Sequence, residues 1–185
     1  MFYQKSLISI FLIFFISCNN LQKNPIDTEV LSYEFETQNG DILKIENQLS
    51  KVQVILFFFT RCKTVCIETN LKMKEISEHF SDFDNLNLIS ISIDPDFDNT
   101  EVLKEYSSRY LNDKDRWAFV RAQNKYDINM ILKRGFDEQV FDEFYHPDYI
   151  YLLDKGGYLY SKHNPLDEKE FNDLNKNLLK LLQEQ

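Results

Sequence analysis

The sequence predicts an α/β fold, a sandwich with a central mixed β-sheet and helices on both faces. Two predominantly apolar stretches, Val52 to Phe59 and Leu86 to Ile93, are typical of strands that are buried on both faces. Each is followed by a helical pattern, and strands that alternate with helices predict a partly parallel sheet. An Asn39-Gly40 turn between two shorter strand patterns predicts an N-terminal β-hairpin, and therefore antiparallel pairing at an edge.

The other elements are predicted in chain order from the same signals. Leu31 to Glu36 alternates apolar and polar residues, as a half-buried strand does, and Ile42 to Ile45 is its returning partner in the hairpin. After the first buried strand, apolar residues at near-helical spacing predict a helix from about Thr64 to Phe80. Similar patterns predict helices at about 99–111, 123–132 and 166–182, and strands at about 117–120, 149–153 and 158–160.

Composition and charge limit the function classes. The chain has 185 residues, enough for one ordinary domain, and 43% of them are hydrophobic, enough for a folded core. With only four Gly and four Pro, the chain does not have the composition of a disordered segment. The formal net charge of −9 argues against nucleic acid as a partner, because binding phosphates needs a basic surface.

The first eighteen residues have the pattern of a secretory signal. Lys5 supplies a positive charge, and the apolar run from Leu7 to Ile16 is too short to span a bilayer as a helix. The run is followed by Ser17 and Cys18, and a small residue directly before a Cys resembles the lipidation site of bacterial lipoproteins. The alternative is an uncleaved N-terminal anchor with an incidental Cys.

These signals divide the chain into three parts. We expect a signal peptide at 1–17, a polar tether at 18–29 and a folded domain at 30–185. Lipidated Cys18 would attach the mature protein to the lipid bilayer. Either form of the N-terminus places the domain outside the cytoplasm at a membrane, on the periplasmic side of the cell envelope.

Apart from Cys18, the chain has one pair of cysteines, Cys62 and Cys66. A disulfide that closes so small a loop stabilises a fold little, so redox exchange or metal capture is the more useful role. The pair follows a buried strand and precedes a helix, the position where reactive groups gather in such sheets. There the helix dipole stabilises a thiolate, which is both the nucleophile for disulfide exchange and a ligand for soft metals.

A neutral imidazole is the obvious third ligand for a metal held by two sulfurs. His79 falls late in the helix and His163 beside a turn, so both suit surface positions. His146 precedes a strand and can project at the same sheet edge as the cysteines, although an ordinary loop histidine would look the same. Two sulfurs and one nitrogen suit Cu(I), whereas structural zinc would want a fourth ligand, which an Asp or Glu could supply.

Several motifs, in their joint order and spacing, resemble the SCO/SenC copper chaperones. Phe58 to Cys66 is similar to that family's strand-to-helix segment with its Cys-x-x-x-Cys, and Ser92 to Thr100 is similar to its second strand and the start of its helix. Arg116 to Phe119 resembles its next strand. His146 stands four residues before Ile150, where the family carries its metal-binding His.

The resemblance, which runs from about Leu31 to the C-terminus, implies a thioredoxin-like three-layer sandwich. It implies that Cys62, Cys66 and His146 bind copper, as Cu(I) or also as Cu(II). It further implies that the protein delivers copper to the dinuclear copper centre of a respiratory haem-copper oxidase, or that the Cys62–Cys66 pair reduces the cysteines of that centre. The partner would be the copper-centre subunit, and the role that of a metallochaperone more than an enzyme.

One departure from the family lies in the site itself. Members usually carry Pro after each Cys, whereas this chain has Lys63 and Ile67. Pro at the first helical position pre-organises a turn, so its absence is expected to loosen the loop and to shift redox potential or copper affinity. Asp94 and Asp148 are candidates for positions around the metal that do not bind it directly.

Three other functions fit the sequence less well than a copper site does. A thiol–disulfide oxidoreductase of thioredoxin type usually has Cys-x-x-Cys and does not need His146, so the wider spacing and the histidine favour copper. A peroxiredoxin-like peroxidase would want Pro and Thr ahead of its Cys, and the segment from Phe58 to Arg61 lacks that pattern. A surface lipoprotein that uses the fold only to bind partners leaves the three matched residues unexplained.

Overall fold

The computed structural model describes residues 24–111, 116–138 and 147–184. Within these ranges one mixed sheet has the strand order β1-β8-β7-β4-β5-β6-β2-β3. The strands are Asn24–Pro25 (β1), Phe35–Thr37 (β2), Ile42–Leu43 (β3), Val52–Phe58 (β4), Leu86–Ser92 (β5), Trp117–Arg121 (β6), Ile150–Leu153 (β7) and Tyr158–His163 (β8). The helices are Thr28–Leu31 (α1), Val65–His79 (α2), Thr100–Ser107 (α3), Lys125–Phe136 (α4) and Glu168–Gln183 (α5), and a 3₁₀ helix covers Ile45–Gln48.

The centre of the sheet is parallel and its edges are antiparallel, as predicted. β4 pairs in parallel with β5, and β5 with β6, and a helix connects each pair, since parallel neighbours need a crossover connection. β7 and β8 are antiparallel to their neighbours on one side, and the β2–β3 hairpin closes the other. Gly40 has a φ of +83° in the hairpin turn, a conformation that glycine adopts without strain.

Alternate residues of β4 pack into two separate cores. Leu56 and Phe58 belong to the core on the face of the sheet that α2, α3 and α5 cover. Ile55 and Phe57 belong to the core on the opposite face, which α1 and α4 cover. Every residue of β4 is buried, because both faces of a central strand are covered. The predicted arrangement of helices on both faces of the sheet is confirmed.

The N-terminal part of the domain differs from the prediction. The first residue of the strand predicted from Leu31 to Glu36 is the last residue of helix α1, and the strand occupies Phe35–Thr37 instead. The Asp27 side chain accepts a hydrogen bond from the Glu29 amide at 2.9 Å and caps this helix, a signal that the alternating pattern concealed. Residues 24–29, which we assigned to the tether, take part in the fold, since β1 pairs with β8 and Ile26 is buried.

The connection from β4 to α2 carries the cysteine pair at the carboxyl end of the two central parallel strands. α2 begins at Val65, so Cys62 lies in the loop and Cys66 in the first turn of the helix. None of the helices in the described ranges has the length and apolar character needed to cross a membrane.

Candidate metal centre

The two cysteines are unequal in exposure although they stand only four residues apart. Both are free thiols; Cys62 is partly exposed, and Cys66 is buried in the core beneath it. The Cys66 amide donates a hydrogen bond to the Cys62 sulfur at 3.4 Å, so the first turn of α2 brings the two residues together. The predicted convergence of the pair at the strand-to-helix junction is therefore seen in the structure.

The same geometry separates the acidities of the two thiols. Partial burial works against ionisation of Cys62, but hydrogen bonds from the amides of Thr64 and Cys66, and from the side chains of those residues, outweigh it and lower its pKa. Burial, with the neighbouring Cys62 and Asp148 charges, raises the pKa of the Cys66 thiol. The site therefore offers one thiol that ionises more readily than a free cysteine and, behind it, one that resists ionisation.

The loop before Cys62 is fastened to the turn that follows β5. The Thr60 amide and hydroxyl both donate to the Asp98 carboxylate, and Asp98 also accepts from the Ser92 hydroxyl. Asp98 is fully buried, and burial raises the pKa of its carboxyl despite these hydrogen bonds.

A second attachment lies beside the first on the surface. Arg61 donates to Asp94 from Nε at 3.1 Å and from a terminal nitrogen at 2.6 Å, and its guanidinium lies 4.6 Å from the centre of the Phe97 ring. Asp94, predicted as a residue around the metal, pairs here with the neighbour of Cys62. It therefore contributes to the shape of the loop.

Behind Cys66 a buried polar network connects α2, β5 and α3. The Asn70 amide donates to the Cys66 carbonyl at 2.8 Å and to the Tyr106 hydroxyl at 3.4 Å. The Ser90 hydroxyl donates to the Asn70 side-chain oxygen at 3.3 Å, and the Trp117 indole donates to Ser90 at 3.0 Å. Every member is buried, so the network fixes the first turn of α2 from below.

Two residues of the predicted site, His146 and the lipidation residue Cys18, lie outside the described residues. The segment that follows His146 is described from Pro147, which is buried, and Asp148, which is exposed. The charge of Asp148 acts on the Cys66 thiol, so this segment returns to the neighbourhood of the cysteines. At the other side of the gap, Glu138 is tied to β7 by the Tyr151 hydroxyl at 2.7 Å.

The other two histidines have contacts of their own. His79 is the last residue of α2 and its ring packs edge-on against Phe80. His163, which we predicted as a turn residue, is the last residue of β8, and its ring is within hydrogen-bond distance of Ser161 at 3.0 Å and Asn177 at 3.3 Å. Among the described residues, no three His, Cys, Asp or Glu side chains form a group that could hold a metal ion.

Comparison with known proteins identifies the family. The model of the SCO1/SenC family matches residues 22–179, most of the chain. The chain belongs to the SCO1/SenC family. The SCO1 protein homolog of Bacillus subtilis is 24% identical over 169 residues, covering 88% of each chain. A SCO2-like protein of Rickettsia typhi is 31% identical over 144 residues, which is 74% of this chain and 70% of the relative.

Solved structures confirm the thioredoxin-like fold of SCO proteins. A SCO1/SenC family lipoprotein from Bacillus anthracis has a TM-score of 0.77 at 24% identity, covering 88% of this chain and 97% of its own. BsSco, a cytochrome c oxidase assembly protein in which a disulfide switch was identified, has a TM-score of 0.74 at 22% identity over 88% and 98%. Copper-bound ScoI of Bradyrhizobium japonicum has a TM-score of 0.62 at 24% identity over 78% and 96%.

Sequence reasoning missed the residues that support the cysteines. Asp98, Thr60, Asn70 and Tyr106 are neither nucleophiles nor expected ligands, and their partners are far away in sequence. One signal was available for Asp98, because an acidic residue at the end of a short turn after a buried strand sits near the carboxyl edge of the sheet. Nothing in the pattern of α2 singled out Asn70.

Proposed function

We propose that this SCO1/SenC protein binds copper through Cys62, Cys66 and His146. The observation that supports it most is the paired cysteines at the start of α2, where an accessible thiol of lowered pKa contacts a buried thiol. Soft thiolate ligands select Cu(I), and a neutral imidazole completes a three-coordinate set. The return of the chain after His146 to the vicinity of Cys66, through Asp148, is consistent with this third ligand.

The destination of the copper follows from the family rather than from the site. We infer that the protein delivers copper to the dinuclear copper centre of a respiratory haem-copper oxidase, or reduces the cysteines of that centre. BsSco is described as a cytochrome c oxidase assembly protein, and ScoI of Bradyrhizobium japonicum binds copper. The copper-centre subunit would be the partner, and copper the cargo.

The proposed location is the outer side of the membrane that holds such an oxidase. A signal peptide at 1–17 and lipidation of Cys18 would place the domain on the periplasmic side, attached to the bilayer. The similarity to a Bacillus anthracis protein that is described as a lipoprotein supports this arrangement.

Anaerobic titration of the purified full-length protein with Cu(I), against a competing chelator, tests the copper site. We expect one Cu(I) per chain, and we expect Cys62→Ser and Cys66→Ser to weaken binding by at least about 100-fold, as loss of a direct ligand should. His146→Ala should weaken it clearly, whereas His163→Ala should bind like the wild type. Unchanged affinity in His146→Ala would show that the three-ligand site is incorrect.

A second candidate function is thiol–disulfide exchange, and the unequal thiols favour it. An accessible thiolate attacks a partner disulfide, and a buried thiol four residues on can then resolve the mixed disulfide, with both electrons passing from the Cys62–Cys66 dithiol to the partner. Reduction of insulin disulfides by dithiothreitol that is much faster with the protein than without it, together with no binding of Cu(I), would favour this function.

A further inference from the structure

Asp98 connects the core of the domain to the loop that carries Cys62. Its carboxylate is fully buried and accepts hydrogen bonds from the Thr60 amide at 3.1 Å, from the Thr60 hydroxyl and from the Ser92 hydroxyl at 2.6 Å. Ser92 is the last residue of β5, a rigid central strand, and Thr60 stands two residues before Cys62. The carboxylate therefore joins the start of the cysteine loop to the neighbouring strand.

The surroundings of Asp98 favour a carboxylate over a neutral polar side chain. The Thr60 amide can only donate, and the Ser92 hydroxyl already accepts from the Asp94 amide at 3.0 Å, so its proton points to Asp98. With donors at both oxygens, a carboxylate satisfies every partner. In an amide of the same shape, the oxygen could keep its contacts with the Thr60 amide and the Ser92 hydroxyl. Its NH₂ group would then face the Thr60 hydroxyl, which would have to rotate to accept from it, and the charge-assisted hydrogen bonds would be lost.

The rest of the loop has few comparable restraints in the described part of the chain. The family's prolines are replaced by Lys63 and Ile67, and Thr64, the residue at the N-cap of α2, makes no side-chain capping hydrogen bond. The Arg61–Asp94 ion pair joins the same two segments, but the Arg61 side chain is 46% exposed. Exposed pairs stabilise weakly because water screens them, so the buried Asp98 contacts dominate.

We propose that Asp98 is a positioning residue for the Cys62–Cys66 pair. By holding Thr60 against the end of β5, it fixes the place of the Cys62 sulfur relative to Cys66, so that both sulfurs are presented to a soft cation without further ordering of the loop. The effect on copper binding rests on the proposed function, whereas the effect on the loop itself does not.

Hydrogen exchange of the metal-free full-length protein tests the positioning directly. In Asp98→Asn, we expect backbone amides of residues 60–64 to exchange about tenfold faster, because weaker neutral hydrogen bonds replace the charge-assisted ones that hold Thr60. Thr60→Val, which keeps the amide contact and loses the hydroxyl contact, should show a smaller increase at the same residues. Thr60→Ser retains both donors and should exchange like the wild type.

A destabilised but distant variant separates positioning from general loss of stability. Leu178→Ala removes a buried side chain of α5 and should raise exchange throughout the domain without a selective effect on residues 60–64. An Asp98→Asn pattern that matches either the wild type or Leu178→Ala would overturn the proposal. If Asp98→Asn does not fold, the comparison of Thr60→Val with Thr60→Ser decides on the same criterion.

Copper affinity supplies the second measurement. In the Cu(I) competition assay, Asp98→Asn should bind about tenfold more weakly than Leu178→Ala, since the loop must be ordered when the metal binds. Equal affinities of the two variants would refute the link from Asp98 to the sulfurs. If the wild type itself does not bind Cu(I), the proposed function fails, while the exchange measurement still tests the positioning role.

Discussion

Cys62 and Cys66 have the same side chain but opposite environments. Cys62 receives hydrogen bonds from the first amides of α2, whereas Cys66 lies among apolar side chains of the core. The unpaired amides at a helix N-terminus stabilise negative charge, and burial penalises it, so the pKa of one thiol falls and that of the other rises. With this difference in pKa, Cys62 is the sulfur that reacts first. Cys66 loses its proton only when its sulfur binds a metal or forms a disulfide.

Alkylation of the reduced, metal-free protein should distinguish the two thiols. At pH 7 we expect iodoacetamide to label Cys62 at least about tenfold faster than Cys66, because the thiolate is the nucleophile and Cys66 is both protonated and buried. As the pH falls through the lowered pKa of Cys62, its rate should fall too, with a midpoint below that of a free cysteine. Peptide mass spectrometry measures both rates, and equal rates would contradict the assigned asymmetry.

At the scale of elements, the strongest periodic patterns predicted the fold well. β4, β5, α2 and α5 lie close to their predicted positions because burial on both faces, or a sustained helical period, leaves one solution. The short elements β1 and α1 were missed, since two to four residues carry too little pattern and depend on packing against distant parts of the chain.

The end of α4 shows how tertiary contact overrides a local signal. The prediction ended this helix at about residue 132, before Gly135, but the helix continues through Phe136 and is followed by Asp137, which has a φ of +53°. Gly135 does not break the helix; it makes room for α1. A Cβ at this position would lie 3.0 Å from a methyl carbon of Val30, closer than such atoms normally approach.

Substitution of Gly135 tests this packing. Gly135→Ala gains helix propensity of about 1 kcal/mol but must displace Val30, so we expect a net loss of about 1–2 kcal/mol in the free energy of unfolding. In a Val30→Ala background the same change should be neutral or stabilising, because the methyl group is gone. Urea denaturation of the wild type, the two single variants and the double variant gives the coupling free energy between positions 30 and 135. If the two single effects simply add in the double variant, the close contact is contradicted.

The sequence alone predicts the cysteines of the candidate site but not the residues that support them, and the reason is physical. Cys62 and Cys66 are local in sequence and follow a strong strand pattern, so their convergence could be predicted. The supporting residues Asp98 and Asn70 act through contacts across 38 and 20 positions, to Thr60 and Ser90, which only the folded chain reveals. His146 was assigned from family resemblance, and its place in the ligand set stays a prediction.

At the scale of the whole molecule, the proposed anchor restricts where the site can work. Asn24, the first residue of β1, lies six positions after Cys18. An extended chain spans at most about 3.5 Å per residue, so this edge of the sheet would stay within roughly 20 Å of the lipid attachment. Such a short tether favours partners that lie in or at the same membrane.

Replacement of Cys18 tests the anchor. We expect Cys18→Ala to be recovered mainly outside the membrane fraction, or as an uncleaved precursor, because the lipid attachment is lost. The wild type should stay with the membrane after a high-salt wash, and mass spectrometry should find a lipid on Cys18. An intact Met1 and an unmodified Cys18 in the mature wild type would contradict the lipoprotein prediction.

The central claim is that one Cu(I) is held by two sulfurs and one imidazole nitrogen. X-ray absorption of the Cu(I)-loaded full-length protein measures this most directly, since the scattering shells report the number of sulfur ligands and the outer-shell signals of a histidine ring. We predict two sulfur scatterers and one imidazole, with the imidazole signal lost in His146→Ala and kept in His163→Ala. A copper ion with a single sulfur ligand, or an imidazole signal that persists in His146→Ala, would contradict the account.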